Sequence, residues 1–232
     1  LNSAAKVDPK NFYGSTSDYN KVKADMGTLR IDHDFSPNVQ IQNTTRYGKT
    51  KQDYLLTAFM GNTANLNTET DGVRRDPSTW ALARSLRTVK DQENTILTNQ
   101  TVVSAQFDTG VLKHSVVAGA EFTSEKQTNY SYVPASLGTL PPANLYHPNP
   151  RDTVTGHNPV RSGAYTEGEV NTQSLYVFDT VKFGDKWLFN GGVRFDHFNT
   201  TYDAVTLQTA VTAPAVQPLP VGTPIPTHLT LS

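Results

Sequence analysis

Residues 97–125 read LTNQTVVSAQFDTGVLKHSVVAGAEFTSE, and the spacing of their apolar side chains decides the fold. In the first arm Leu97, Thr101, Val103, Ala105 and Phe107 alternate with Thr98, Gln100, Val102, Ser104 and Gln106. One face is therefore mostly apolar and the other mostly polar, the period-two signature of a strand. After Asp108-Thr109-Gly110 the second arm sets Leu112, His114, Val116, Ala118, Ala120 and Phe122 against Lys113, Ser115, Val117, Gly119, Glu121 and Thr123. Two such arms around a short Gly-containing break predict an antiparallel hairpin. Each arm continues for at least ten residues, against about five or six in soluble domains and roughly 9–11 for a strand that crosses a bilayer.

The same pattern recurs on both sides. Leu29, Ile31, His33 and Phe35 alternate with Thr28, Arg30, Asp32 and Asp34, and beyond the turn residues Ser36-Pro37-Asn38 so do Val39, Ile41, Asn43, Thr45 and Tyr47 with Gln40, Gln42, Thr44 and Arg46. Asn171 to Phe183 and Trp187 to Phe198 form a third pair around Gly184-Asp185, with Trp187, Phe189, Val193, Phe195 and His197 on one side of the second arm. In Leu175-Tyr176-Val177-Phe178 four apolar residues adjoin, and the parity is ambiguous. Residues 1–25, 55–92, 129–170 and 199–232 lack sustained alternation and read as long loops; a short helical turn is predicted at Ser78 to Leu86, and the Pro-rich end from Thr209 to Ser232 reads as structureless.

Composition agrees with a sheet that does not enclose a large dry core. Only 36% of the 232 residues are apolar, fewer than a globular domain usually carries, and a barrel with a polar interior accounts for the shortfall. The absence of cysteine excludes disulfides and thiolate chemistry, and a net charge of −1 offers no basic field for nucleic acid. No apolar run is long enough for a helical span, and the start LNSAAKVDPK lacks the order of a secretion signal, so the chain is expected to begin well inside a longer protein.

Six strands in three hairpins, with short turns at one end and long loops at the other, predict an all-β fold: an antiparallel segment of a transmembrane β-barrel. A soluble β-sandwich, such as a carbohydrate-binding one, is the alternative, because its strands alternate too. Six strands cannot close a membrane barrel, which needs about eight, so a wall segment of a larger barrel is expected, starting and stopping in extracellular loops. With both edges open, it is not expected to fold alone.

Five short motifs carry a resemblance to a known family. Asn99-Gln100-Thr101, Phe107-Asp108-Thr109-Gly110, and His114 with Ala118-Gly119-Ala120-Glu121 resemble one hairpin of TonB-dependent siderophore receptors. Leu175-Tyr176-Val177-Phe178-Asp179 with Asp185-Lys186-Trp187 and Gly191-Gly192-Val193-Arg194-Phe195-Asp196 is similar to another, with Phe178 where Gln is usual. Asn11-Phe12-Tyr13-Gly14 and Asp18-Tyr19 resemble the branch that imports iron with catecholate siderophores. The resemblance implies a 22-stranded outer-membrane barrel plugged by an N-terminal domain that residues 1–232 do not include. It also implies uptake of a ferric siderophore, energised through TonB acting on that plug, with no substrate bond broken. A passive porin-like barrel is the alternative within the membrane.

A ferric catecholate complex is anionic and aromatic, so its receptor should offer cations and rings. On that implication the ligand-binding candidates are Arg74, Arg75, Trp80, Arg84 and Arg87 in the first long loop, with Tyr130, Tyr132, Tyr146, Arg151 and Arg161 in or beside the second. The competing reading is that such residues serve loop solubility or contact lipopolysaccharide. Arg30, Asp32, Asp34, Arg46, Glu121, Arg194 and Asp196 would line the interior by parity, where opposite charges are expected to pair. Trp187, Phe195, Tyr47 and Phe35 suit an interfacial aromatic girdle. The six histidines show no metal-ligand spacing, no catalytic or nucleotide motif is present, and no cofactor is expected; iron enters only as cargo.

Overall fold

The structure, a computed structural model, describes residues 5–60, 66–67, 69–70, 73–208 and 221–232. Its strands are β1 (Tyr19–Ser36), β2 (Val39–Met60), β3 (Leu66–Asn67), β4 (Glu69–Thr70), β5 (Val73–Arg74), β6 (Ala81–Thr109), β7 (Leu112–Tyr132), β8 (Leu137–Thr139), β9 (Ala143–Asn144), β10 (Thr155–His157), β11 (Arg161–Phe183), β12 (Trp187–Leu207) and β13 (Pro224–Leu231). The main sheet runs β1-β2-β6-β7-β11-β12-β13, with β3 and β9 also paired to β6. All three sequence-predicted hairpins are present.

The strands exceed their predicted lengths, and each loop boundary moves accordingly. Residues 1–25 give way to β1 at Tyr19, 55–92 lose their ends to β2 and β6, 129–170 shrink between β7 and β11, and 199–232 contain the end of β12 and all of β13. Gly61, Asn62, Asp71, Gly72 and residues 209–220 lie outside the described residues. The main sheet gains a seventh strand, because β13 lies at the margin of the described sheet. A margin strand tolerates proline, so Pro224 and Pro226 can sit opposite Leu207 and Val205. The helical turn is shorter than predicted, Pro77–Thr79, and β6 begins directly after Trp80. The hairpin break is Gly110-Val111, Gly110 taking the positive φ of 63° that a two-residue turn demands.

Two compact units make up the chain. One comprises 1–22, 52–92 and 129–164; the other comprises 23–51, 93–128 and 165–232. In the second unit register resolves the ambiguous parity: Leu175 faces Phe195 and Val177 faces Val193, whereas Tyr176 pairs with Arg194 and Phe178 with Gly192. Leu29, Val103 and Val193 are exposed and Val116 half-buried, with no second layer over their row among the described residues. That removes the sandwich alternative. Apolar residues left in the open on one face of a single sheet call for an apolar solvent.

The family motifs have local structural work to do. Asn99 and Thr101 share the face of Asn43 and Thr45, where the two amides bond reciprocally at 3.2 Å and each adds a threonine hydroxyl at 2.8 and 2.7 Å. Gln100, on the other face, donates to the Tyr176 hydroxyl at 3.3 Å and the Glu121 carboxylate at 3.4 Å. Gly119 makes room for that tyrosine, since a Cβ there would lie 2.4 Å from its ring and hydroxyl.

Candidate ligand-binding unit

The first unit is built on a short capped turn. The Asp76 carboxylate accepts the Ser78 backbone N–H at 2.9 Å and its hydroxyl at 2.8 Å, and both bonds hold Asp76 below the usual carboxylate range. Trp80 follows in extended conformation and is 1% exposed. Its indole N–H donates to the Arg75 carbonyl at 3.3 Å, and its own carbonyl accepts Leu145 N–H at 2.7 Å. Around it Leu55, Leu82, Leu137, Leu140 and Ala143 form a buried apolar cluster.

Arg84 is as buried as Trp80 and organises the second long loop. Its Nε donates to the Pro141 carbonyl at 3.0 Å, its Nη1 to the Asn149 carbonyl at 3.3 Å, and its Nη2 to the Asp152 carboxylate. With both ends of the fork engaged, this guanidinium is a clamp on residues 141–152. Asn11 and Tyr13 hold the same loop by donating to the Leu145 carbonyl, and Asn11 also reaches the Tyr146 carbonyl at 3.1 Å.

Arg87 is likewise buried, its Nη2 donating to Ser17 Oγ and Asp18 Oδ1, both at 3.2 Å. Its Nε and Nη1 have no hydrogen-bond partner among the described residues. Asp18 also accepts the Thr57 backbone N–H at 3.0 Å and its hydroxyl at 2.7 Å, fixing residues 15–18 to β2.

A more open arrangement surrounds Asp91. Arg161 donates to Asp91 Oδ2 through Nε at 2.9 Å and Nη2 at 2.6 Å, and the Tyr132 hydroxyl donates to the same oxygen at 3.0 Å. Burial, then the bond to Asp91, push the Tyr132 phenol above its ordinary pKa. The Arg161 guanidinium lies 3.8 Å from the Tyr130 ring centroid, a cation–π stack, yet 46% of its side chain stays exposed. Here a cation is oriented by a carboxylate and a ring and still reaches solvent.

The other candidates are peripheral. The Tyr146 hydroxyl donates to the Ala5 carbonyl at 3.2 Å, and Arg151 is exposed with its backbone N–H on Asn149 Oδ1 at 3.1 Å. Arg75 is half-buried, and Arg74 ends β5 with its side chain outside the description. All ten sequence-predicted residues fall in this one unit. Sequence reasoning missed their acidic partners Asp18, Asp91 and Asp152, which lie 69, 70 and 68 residues from the arginines they bind.

In the second unit five of the seven interior-parity charges pair, while Arg46 donates instead to the Thr28 hydroxyl at 3.2 Å. Arg30 binds Asp32 at 2.9 Å, and Arg194 binds Asp196 at 2.9 Å, with Glu121 3.8 Å away and the Ser174 hydroxyl at 2.8 Å.

Residues 2–218 match the family model described as TonB dependent receptor-like, beta-barrel. The chain is 42% identical over 206 residues to the catecholate siderophore receptor Fiu of Escherichia coli strain K12, covering 89% of this chain and 26% of that protein. It is 26% identical to a probable TonB-dependent siderophore receptor, PiuA, of Acinetobacter baumannii, covering 89% and 28%. The crystal structure of the ferric-catecholate import receptor Fiu from E. coli K12 in its open form superposes with a TM-score of 0.85 at 38% identity, covering 99% of this chain and 34% of that one. The chain thus spans between a quarter and a third of the length of these relatives. It belongs to the TonB-dependent receptor β-barrel family of the outer membrane, and is a partial barrel of a larger receptor.

Proposed function

We propose that this segment forms part of the wall and loops of an outer-membrane receptor that imports a ferric siderophore of the catecholate type, energised through TonB. The supporting observation is the half-exposed Arg161 stacked on Tyr130 and steadied by Asp91. A catecholate complex presents anionic oxygens and flat rings, and this pairing meets both at once. Arg151 adds an exposed charge in the same unit. Arg84 and Trp80 shape the loop from below the surface instead of touching ligand. The short turns face the periplasm, and the loops face outward among lipid and lipopolysaccharide. TonB acts on a plug elsewhere in the 22-stranded receptor. The protein is a transporter and not an enzyme, iron is cargo, no resident cofactor takes part, and nucleic acid is not a partner.

The test uses the whole receptor and a ferric tris-catecholate complex. Tyr130→Leu and Arg151→Glu leave Asp91 paired, and each is expected to weaken binding by roughly 5- to 30-fold, about 1–2 kcal/mol. Uptake should cease in cells lacking TonB. Uptake persisting without TonB, or unchanged affinity in the double variant, would replace the reading with a passive porin.

A further inference from the structure

Three of the arginines expected to attract an anionic ligand are answered by carboxylates within the first unit. Arg84 binds Asp152 and Arg87 binds Asp18, both guanidinium groups lying below the surface. Arg161 alone of the three reaches solvent, and it too is matched: Nε and Nη2 both close on Asp91 Oδ2, at 2.9 and 2.6 Å. The Asp91 side chain is only 4% exposed, so water screens little of its charge.

The groups around that pair repeat the balance. The Tyr132 hydroxyl donates to the same Asp91 oxygen at 3.0 Å, and the Tyr19 hydroxyl donates to Asp53 Oδ1 at 3.2 Å. Burial and then the charge of Asp53 push the Tyr19 phenol above its ordinary pKa, and Asp91 adds to that shift, which puts the two carboxylates in one neighbourhood. With Tyr132 shifted the same way, neither phenol contributes a negative charge near neutral pH. The Lys21 ammonium stands 4.9 Å from the Tyr19 ring centroid, as Arg161 stands over Tyr130. Lys21 and Arg161 thus balance Asp53 and Asp91, and what is left in excess is aromatic surface from Tyr19, Tyr130 and Tyr132.

We propose that Asp91 sets the charge selectivity of the siderophore site, holding it near neutral so that ring contact, and not total charge, selects the complex. This rests on the reading of Arg161 and Tyr130 as ligand contacts. A guanidinium with a carboxylate across two of its nitrogens attracts an anion at contact, but at a distance its field is that of a dipole and falls off faster than that of a bare cation. A trianionic complex, iron with three catecholates, therefore gains little there over a monoanionic one with two, and its extra charge also meets the two carboxylates. Both complexes present a flat ring and an oxygen edge to Tyr130 and Arg161. The class of cargo that suits such a site is a ferric catecholate of low net charge.

The experiment titrates the whole receptor in detergent, by calorimetry, with the ferric complexes of a hexadentate tris-catechol and a tetradentate bis-catechol ligand, each at low and high salt. The wild type should bind the trianionic and monoanionic complexes within about threefold of each other and lose little affinity with salt. Asp91→Asn keeps an oxygen that accepts from Arg161 and Tyr132 and removes only the charge. It should strengthen the trianionic complex by roughly tenfold over the monoanionic one, a gain that high salt erases. Asp53→Asn should move the same ratio in the same direction by less, and it carries the test should the first variant not fold. A wild type that already prefers the trianion by about tenfold or more, or a ratio left unchanged by the substitutions, would overturn the assignment. So would an equal loss of both complexes in Asp91→Asn, which would make the carboxylate a support for Arg161 and nothing more. If the wild type binds neither complex, the siderophore reading itself fails and takes this one with it.

Discussion

The two units of the chain use apolar residues in opposite ways. In the unit of residues 1–22, 52–92 and 129–164 a small cluster around Trp80, Leu55 and Leu82 is buried beside two buried arginines. In the unit of 23–51, 93–128 and 165–232 Ala204 is the one buried apolar residue among those described, while Ile31, Val193, Phe195 and Leu229 stand exposed. The first unit is organised like a water-soluble protein, with greasy residues inside and ion pairs clamping loops. The second has no interior of its own, and its stability depends on lipid meeting one face. Equivalent substitutions should therefore have opposite consequences in the two.

The largest effect is expected where a buried clamp is opened. Arg84→Ala leaves Asp152 and two loop carbonyls without their donor, and losing one partner of a buried pair costs about 3–5 kcal/mol. Hydrogen exchange in the whole receptor should show residues 141–152 losing protection while β12 keeps its own. Protection unchanged in 141–152 would mean that the bonds from Asn11 and Tyr13, with the pairing of β9 to β6 and the Leu145–Trp80 bond, hold the loop without Arg84.

In the second unit the corresponding error is a charge placed outward. Val193→Lys should cost about 2–4 kcal/mol in lipid vesicles, whereas Asn190→Lys, on the inner face of the same strand, should change stability by less than about 0.5 kcal/mol. Denaturant unfolding of the reconstituted receptor reads the difference. Equal costs would break the assignment of faces.

Two glycines sharpen the picture within one face. A Cβ at Gly192 would stand 2.2 Å from the Phe178 ring and 2.5 Å from the Val177 carbonyl oxygen, and the carbonyl belongs to the paired backbone and cannot swing away. Gly192→Ala should cost about 1–3 kcal/mol. At Gly119 the clash is with the far end of the Tyr176 side chain, which can turn aside at the expense of its bond with Gln100. Gly119→Ala should cost less, and the same unfolding assay ranks the pair.

How much was legible in the sequence follows from the same division. The hairpins of the second unit were readable because lipid and interior demand strict alternation, and residues such as Val103 and Val193 keep it. The extension of β6 back to Ala81 was not readable, because arginines, Arg84 and Arg87, are buried there where apolar residues are expected, and their acidic partners are remote in the chain. β13 was hidden by prolines that only a strand at the margin can hold. The candidate residues were found by type, and all fall in one unit. Type alone could not separate the exposed Arg161 from the buried Arg84, since burial depends on contacts some 57 to 70 residues away.

The smallest expected effect concerns the turn that launches β6. Asp76 is fully exposed, and its carboxyl is depressed by hydrogen bonds from the Ser78 backbone N–H and hydroxyl. A depressed carboxyl stabilises the folded turn at pH above its unfolded value, and that contribution disappears as pH falls through the lowered one. Ser78 and Thr79 should therefore hold their amide protons at neutral pH and exchange them faster, relative to the intrinsic rate, as the solution is taken below about 4. Asp76→Asn, whose side-chain oxygen can still accept but does not titrate, should flatten that dependence. Trp80 anchors the next residue through its own buried contacts, so the indole should stay protected throughout. If Trp80 loosens together with the turn, the cap and not the apolar cluster is what fixes the start of β6.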